Sequence, residues 1–307
     1  MLSPRSEFVC SVLSNELNEQ LIGTASHERV WFLLQYDGPW GAKAFEQSDL
    51  PEIVKEHVTA SLQRVAGARL LLIKSREDAF NPDKSLFVVN AAESHPAMRG
   101  FQLETYEDLL SLDLVAAAES NANGLGSPIN KPLFVVCTNG RRDPCCARYG
   151  PGFYQAMLDI EDVSVWQSTH VGGHRFAANS ISFPHGIYYG RMAPQDALPY
   201  VRAVRSGQIY LDHLRGRAVY PEIAQAAEYY LRRETGRLGV EDFHLEDVVE
   251  DAPQLWLVRF LDMQAGNQYR LSIHEEVSPP IYRQSCISEK VSSIVNYTLE
   301  GIDIANS

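Results

Sequence analysis

Residues 133–146 read Leu-Phe-Val-Val-Cys-Thr-Asn-Gly-Arg-Arg-Asp-Pro-Cys-Cys, and how this stretch folds decides the rest of the chain. The apolar run that closes on Cys137 has the length and β-branched content of a buried strand. Gly140 and Pro144 mark a loop after it, with Cys145 and Cys146 at its far end, so the chain can swing back and bring two sulfurs to one centre. Downstream, Ser168-Thr-His-Val-Gly-Gly-His supplies two imidazoles, His170 and His174. Two thiolates and two imidazoles make a four-ligand set for zinc or for an iron–sulfur cluster, and no neighbouring carboxylate completes a hydrolytic centre.

The spacing is Cys-x7-Cys or Cys-x8-Cys, depending on which of the vicinal pair is used. Zinc knuckles take two to four intervening residues, whereas clusters accept longer ligand loops. Gly172-Gly173 is a poor helix interior, so the two histidines are expected on an irregular loop after a strand. The segment also lacks the glutamate of the metalloprotease motif His-Glu-x-x-His. Other thiol chemistry fails on spacing. There is no Cys-x-x-Cys, and Cys137-x4-Arg142 is one residue short of a phosphatase loop, with Asp143 at the position the arginine would need. For a Cys–His protease, the strand-then-glycine context offers no oxyanion site.

The 307 residues carry a formal net charge of −12 with 45% hydrophobic content, which is ordinary for a soluble globular protein and unsuited to binding nucleic acid. The N-terminus has charges at Arg5 and Glu7 and no uninterrupted apolar core, and no segment is long enough to span a bilayer, so a cytoplasmic location is expected. Five cysteines in such a chain do not form a disulfide framework, and Cys10 and Cys286 are expected to be free thiols. Arg141, Arg142, Arg148, Arg175 and Arg191 gather around the ligand segments. They are either ordinary solvated arginines or a basic rim that guides an acidic redox partner, with docking near Arg141, Arg142 and Arg175.

Outward from the ligand stretch, the periodicities predict an α/β protein in three parts: 1–130, 131–215 and 216–307. The first has strands at 30–36, 69–74 and 85–90, an amphipathic helix over 50–65 and a helical pattern over 104–115, in the order β-α-β-β-α. The second returns to that order with a strand at 133–136, a helix opened by Pro151, a strand at 163–167, a hairpin pairing 180–183 with 187–191, and a helix over 194–205. The third is a small α+β appendage, with a helix from Pro221 to a stop at Gly236 and strands at 243–249, 255–261 and 269–273. After Ser285 the sequence suggests no chemistry. The first part reads as a degenerate copy of the second.

Three stretches carry a resemblance: Cys137 to Ala147, His170 to Asn179 and Tyr188-Tyr-Gly-Arg191. They resemble the signatures of the sucrase/ferredoxin-like family, whose metal domain is similar to thioredoxin-like [2Fe–2S] ferredoxins. Phe8-Val-Cys-Ser11, Gly38-Pro-Trp-Gly41 and Leu214-Arg-Gly-Arg217 look like further landmarks of that family. The resemblance implies a thioredoxin-like ferredoxin domain over 131–215. It also implies a [2Fe–2S] cluster held by Cys137, Cys146, His170 and His174, with Cys145 as a neighbour. No paired-carboxylate site supports a sucrase activity. The expected role is one-electron transfer, by an electron carrier more than a self-contained enzyme. Neutral imidazoles in place of thiolates would raise the potential and couple it to protons. The rival readings are a sensor or partner-binding protein with a labile cluster that reports oxidant, iron or pH, and a structural zinc protein with the same ligands.

Overall fold

The elements in chain order are α1 (Cys10–Glu16), β1 (Val30–Gln35), α2 (Glu52–Arg64), β2 (Ala68–Lys74), β3 (Lys84–Asn90), β4 (Ala97–Leu103), α3 (Leu114–Ala117), β5 (Ser127–Pro128), β6 (Leu133–Cys137), α4 (Pro144–Leu158), β7 (Ser164–Ser168), β8 (Ser180–Phe183), β9 (Ile187–Tyr189), α5 (Ala197–Arg205) and β10 (Leu214–Arg217). There follow α6 (Glu222–Thr235), β11 (Phe243–Ala252), β12 (Leu255–Asp262), β13 (Gln268–Val277), β14 (Tyr282–Arg283), β15 (Val291–Ser292) and β16 (Val295–Ala305). The structure, a computed structural model, describes residues 9–76, 83–119 and 124–305; Arg5, Glu7 and Phe8 lie outside them.

The protein is a mixed α/β fold built on one ten-stranded sheet, ordered β10-β9-β8-β6-β7-β2-β1-β3-β4-β5. Two runs in it share a plan. In β2-β1-β3-β4 and in β7-β6-β8-β9 the first two strands are parallel, the third is antiparallel to its inner neighbour, and the fourth is antiparallel to the third. Each run places one helix between its two parallel strands, as a parallel crossover requires. The runs join where β2 meets β7 antiparallel, Ile73 opposite Ser168 and Lys74 opposite Gln167.

β1 and β6 are buried at every position, and apolar at all of them but Gln35 at the end of β1, because both faces are covered. Phe32 and Leu34 pack with Val54 and Val58 of α2, while Trp31 and Leu33 face the opposite way into a core that continues through Val135 and Cys137 of β6. Phe134 and Val136 turn from that core toward Phe153 and Met157 of α4. The C-terminal part lays α6 across a four-stranded antiparallel sheet, β11-β12-β13-β16. Gly236 ends α6 in the left-handed conformation, at φ 68°.

Several expectations are corrected. The helix expected to open at Pro151 begins at Pro144 and carries Pro151 inside it, so Cys145 and Cys146 occupy its first turn and not the far end of a loop. Asp143 followed by Pro144 is a helix-start signal, since the carboxylate caps the turn and proline costs nothing where no intrahelical N–H bond is made. The pattern over 104–115 is a 3-10 turn at Tyr106–Ser111 followed by short α3, too short for a helix nucleus without its tertiary contacts. β4 escaped notice because Gly100 and Arg99 break its alternation, which makes the order β-α-β-β-β-α in both halves. Beyond Ser285 lie Cys286, which packs against Cys10 and Cys145, and the eleven-residue strand β16.

Candidate metal centre

Cys137 ends β6 with its side chain in the central core, and α4 begins seven residues later. The buried Asp143 caps α4: its Oδ1 accepts the Cys145 N–H at 3.0 Å. Gly150 lets the helix lie against the end of the strand, since a Cβ there would fall 2.2 Å from the Cys137 carbonyl oxygen. Successive helical residues point about 100° apart, so the vicinal cysteines face different neighbours. Cys146 turns toward Cys137 and His170, with its Sγ 3.9 Å from His170 Nδ1, and Cys137 Sγ lies 4.0 Å from the same nitrogen. Cys145 turns away, to Cys10 and Cys286.

His170 follows β7, on a segment pinned at both sides. Thr169 Oγ1 accepts the Leu72 N–H at 3.1 Å, and Arg69 Nη2 donates to the His170 carbonyl at 2.7 Å. Gly172 and Gly173 then turn the chain with φ 94° and 66°, values open to glycine, into the single 3-10 turn His174–Phe176. Arg215, almost wholly buried, holds this loop from beneath. Its Nη1 donates to the Gly172 carbonyl at 3.1 Å and to Asn179 Oδ1 at 2.9 Å, while Asn179 Nδ2 donates to the Gly173 carbonyl at 2.9 Å. Sequence reasoning assigned no role to Asp143, Asn179 or Arg215. All three lay inside stretches recognised as family-like, and Asp143 was also readable as a helix cap.

Cys137, Cys146 and His170 therefore present three donor atoms within 4.8 Å of one another. His174 stands one ring away, centroid to centroid 5.2 Å from His170, with Nε2 3.6 Å from Asp143 Oδ2 and a buried Nδ1 that has no hydrogen-bond partner. The Cys146 S–H donated to Cys137, followed by contact with His170, holds the Cys137 thiol well below the usual range against its burial. Cys146, giving that hydrogen bond and buried, is pushed up. Burial lowers His174, against the pull of Asp143. Asp143 is lowered despite its burial, through the Cys145 N–H and the neighbouring His174. In the second cysteine group, the Cys10 S–H and then Ser11 bring Cys145 down to about 6, and burial pushes Cys286 up to about 11.

The arginines divide. Arg175 Nε is bound to Glu19 at 2.7 Å, with its guanidinium over Phe176, and Arg191 Nη2 donates to Ser14 Oγ at 3.0 Å and to the Glu19 carbonyl at 2.8 Å, so both are committed internally. Arg141 and Arg142 are exposed on the turn before α4. Arg142 and His170 also line a cavity of about 850 Å³ whose far wall is α2.

With this geometry in hand, the sequence pattern of the sucrase/ferredoxin-like family matches residues 21–216, well over half of the chain. The chain belongs to that family. Among curated relatives, altered inheritance of mitochondria protein 32 of Meyerozyma guilliermondii is 34% identical over 99 residues, 29% of this chain and 35% of the relative. Its counterpart in Clavispora lusitaniae is 32% identical over 102 residues, 30% and 37% respectively. The chain spans about a third of the length of these curated relatives. Among solved structures, a thioredoxin-like [2Fe–2S] ferredoxin from Aquifex aeolicus aligns with 30% of this chain and 97% of its own, at 16% identity and a TM-score of 0.28. Among the described residues, no helix of this family member is long and apolar enough to cross a membrane.

Proposed function

We propose that this sucrase/ferredoxin-like protein is a one-electron carrier whose middle part, 131–215, holds a [2Fe–2S] cluster on Cys137, Cys146, His170 and His174. The observation that carries the proposal is the meeting of Cys137 Sγ, Cys146 Sγ and His170 Nδ1 inside the fold, beside a second imidazole whose buried Nδ1 lacks a partner. The donor set fits such a group: two soft sulfurs, one held toward the thiolate, and two nitrogens on a loop fixed by Arg215 and Asn179. When bound, the cluster would supply a one-electron couple, with a potential raised by the neutral imidazoles.

The residues around it orient the ligands and handle protons. Arg69 and Thr169 fix the His170 backbone, and Asp143 faces His174 Nε2, as an outer-shell carboxylate does when it sets an imidazole's tautomer. His170 borders the large cavity beside exposed Arg142, and an acidic redox partner would approach there, past Arg141 and Arg142. Arg175, bound to Glu19, contributes less to such a rim. Thiols kept free to ligate require a reducing compartment, which favours the cytoplasm.

One observation favours a second reading: three donors within 4.8 Å of one another also suit a single tetrahedral zinc ion. Elemental and acid-labile sulfide analysis of protein purified anaerobically, with its visible spectrum, separates the two. Iron and sulfide in equal amounts with a red-brown colour are expected. Stoichiometric zinc in the Cys137 group without sulfide, from iron-replete cells, would overturn the cluster.

A further inference from the structure

The second group of cysteines is drawn from three distant parts of the chain. Cys10 starts α1, Cys145 lies in the first turn of α4, and Cys286 lies between the short strands β14 and β15. Their sulfurs form a nearly equilateral triangle: 3.4 Å from Cys10 to Cys145, 3.4 Å from Cys145 to Cys286, and 3.5 Å from Cys286 to Cys10. Asp143 Oδ1 lies 3.8 Å from the Cys10 sulfur, and the four donor atoms fall within 4.8 Å of one another.

Ordinary packing does not account for this. A buried cysteine used as a small hydrophobe meets aliphatic side chains, whereas here the sulfurs meet one another around a carboxylate that is fully buried. A buried carboxylate requires compensation, and among the described residues its one cationic contact within 4.0 Å is His174, which is charged only when protonated. A disulfide would draw one pair together to about 2.05 Å and leave the third thiol odd, but no pair is favoured over the others. Three thiolates on one zinc ion at about 2.3 Å sit roughly 3.8 Å apart, so the triangle need open by only a few tenths of an ångström to admit one. A cluster, by contrast, spreads its thiolates over more than one iron.

We infer that Cys10, Cys145, Cys286 and Asp143 form a second, mononuclear site for a thiophilic divalent cation of the zinc class, separate from the Cys137 group. Binding forms three metal–sulfur bonds and one metal–oxygen bond, and the protons still carried by the thiols pass to solvent, with no change of oxidation state. The ion staples α1 and the segment before β15 to the first turn of α4, one residue from Cys146. Asp143 is shared in function: Oδ2 accepts from the Cys286 N–H and Ser285 Oγ, each at 3.0 Å, and faces His174 across 3.6 Å.

The test is cobalt(II) titration of the full chain, stripped with a chelator under reducing, anaerobic conditions, and watched for sulfur-to-cobalt charge-transfer absorption. In Cys146→Ser, which removes a sulfur from the other group, one equivalent with tetrahedral thiolate character is expected to remain. In Cys286→Ser it is expected to be lost, or to bind at least about 100-fold more weakly. Zinc analysis of wild-type protein as purified gives an independent readout, one equivalent not accounted for by the Cys137 group. Three results would overturn the site: uptake unchanged in Cys286→Ser; uptake abolished by Cys146→Ser but kept in Cys286→Ser, which assigns the ion to the other group; or wild-type protein whose cysteines alkylate fully in the folded state with no thiolate-bound metal. The first two do not depend on whether the Cys137 group holds iron.

Discussion

Arg215→Lys keeps the charge beneath the histidine loop and removes its geometry. The guanidinium donates to the Gly172 carbonyl, to Asn179 Oδ1, and to both Oγ1 and the carbonyl of Thr24. It also fills the space over Gly173, where a Cβ would approach its Nη2 to 2.5 Å. A lysine ammonium is a point charge with no planar fork and can reach one or two of these acceptors. At least two buried oxygens are left unpaired, each costing about 1–3 kcal/mol, so the loss should be about 2–6 kcal/mol. That is a large share of the ~5–15 kcal/mol by which domains are stable. Urea unfolding followed by tryptophan fluorescence should show this loss, and hydrogen exchange should quicken at amides 170–174. Because the loop carries His170 and His174, the bound metal group should pass to a chelator about tenfold faster, as outer-shell losses do. A variant within about 0.5 kcal/mol of wild type, with loop exchange unchanged, would refute the idea that Arg215 fixes the ligand loop.

Other expectations follow from the same geometry. Cys146→Ser should abolish or grossly alter the cluster spectrum while Cys145→Ser leaves it nearly intact; reversed outcomes would reassign the sulfur. With His170 and His174 as ligands, the midpoint potential should fall as pH rises through the titration of their outer nitrogens, with a slope approaching about 59 mV per pH unit; a flat potential in redox titration counts against imidazole ligation. Burial, and then the Arg217 guanidinium, push His185 down to about 4. From about pH 6.5 toward 4 the unfolded chain therefore takes up a proton that the fold refuses, and stability falls. His185→Asn should flatten that part of the urea-midpoint profile, and an unchanged slope would exclude His185 as its source.

The buried strands were legible because β6, and β1 as far as Leu34, are apolar without interruption, and α6 because Pro221 and Gly236 bracket it. What sequence left open was set by tertiary contact. β4 is held by pairing with β3 and not by its own alternation, and the pattern over 104–115 has turns with too few residues to persist as a helix without the α2 surface beneath them. The plan common to the two halves was suspected from element order, but the shared strand order and the β2–β7 seam arise from pairings between residues about 94 positions apart, beyond the reach of any local periodicity.

The vicinal cysteines show how one boundary decides a site. Placed at the end of a loop, either sulfur can swing onto the centre that Cys137 begins, and the second is redundant. With α4 started at Pro144 by the Asp143 cap, the two side chains diverge by about 100° and cannot exchange places without unwinding the first turn. Cys146 is then committed to the core with Cys137 and His170, and Cys145 to the side where α1 and Cys286 arrive. The same carboxylate that starts the helix lies 3.6 Å from His174 and accepts the Cys286 N–H, so Asp143→Asn reaches both groups at once. An amide has one oxygen for donors that now occupy two, and it sets an N–H₂ against either the Cys145 N–H or the Cys286 N–H and Ser285 hydroxyl. The lost cap costs about 1 kcal/mol. Each broken charge-assisted bond adds about 1.5–3 kcal/mol. The variant should lose affinity for metal at both groups together, whereas a change confined to one would mean that the two are built independently of the cap they share.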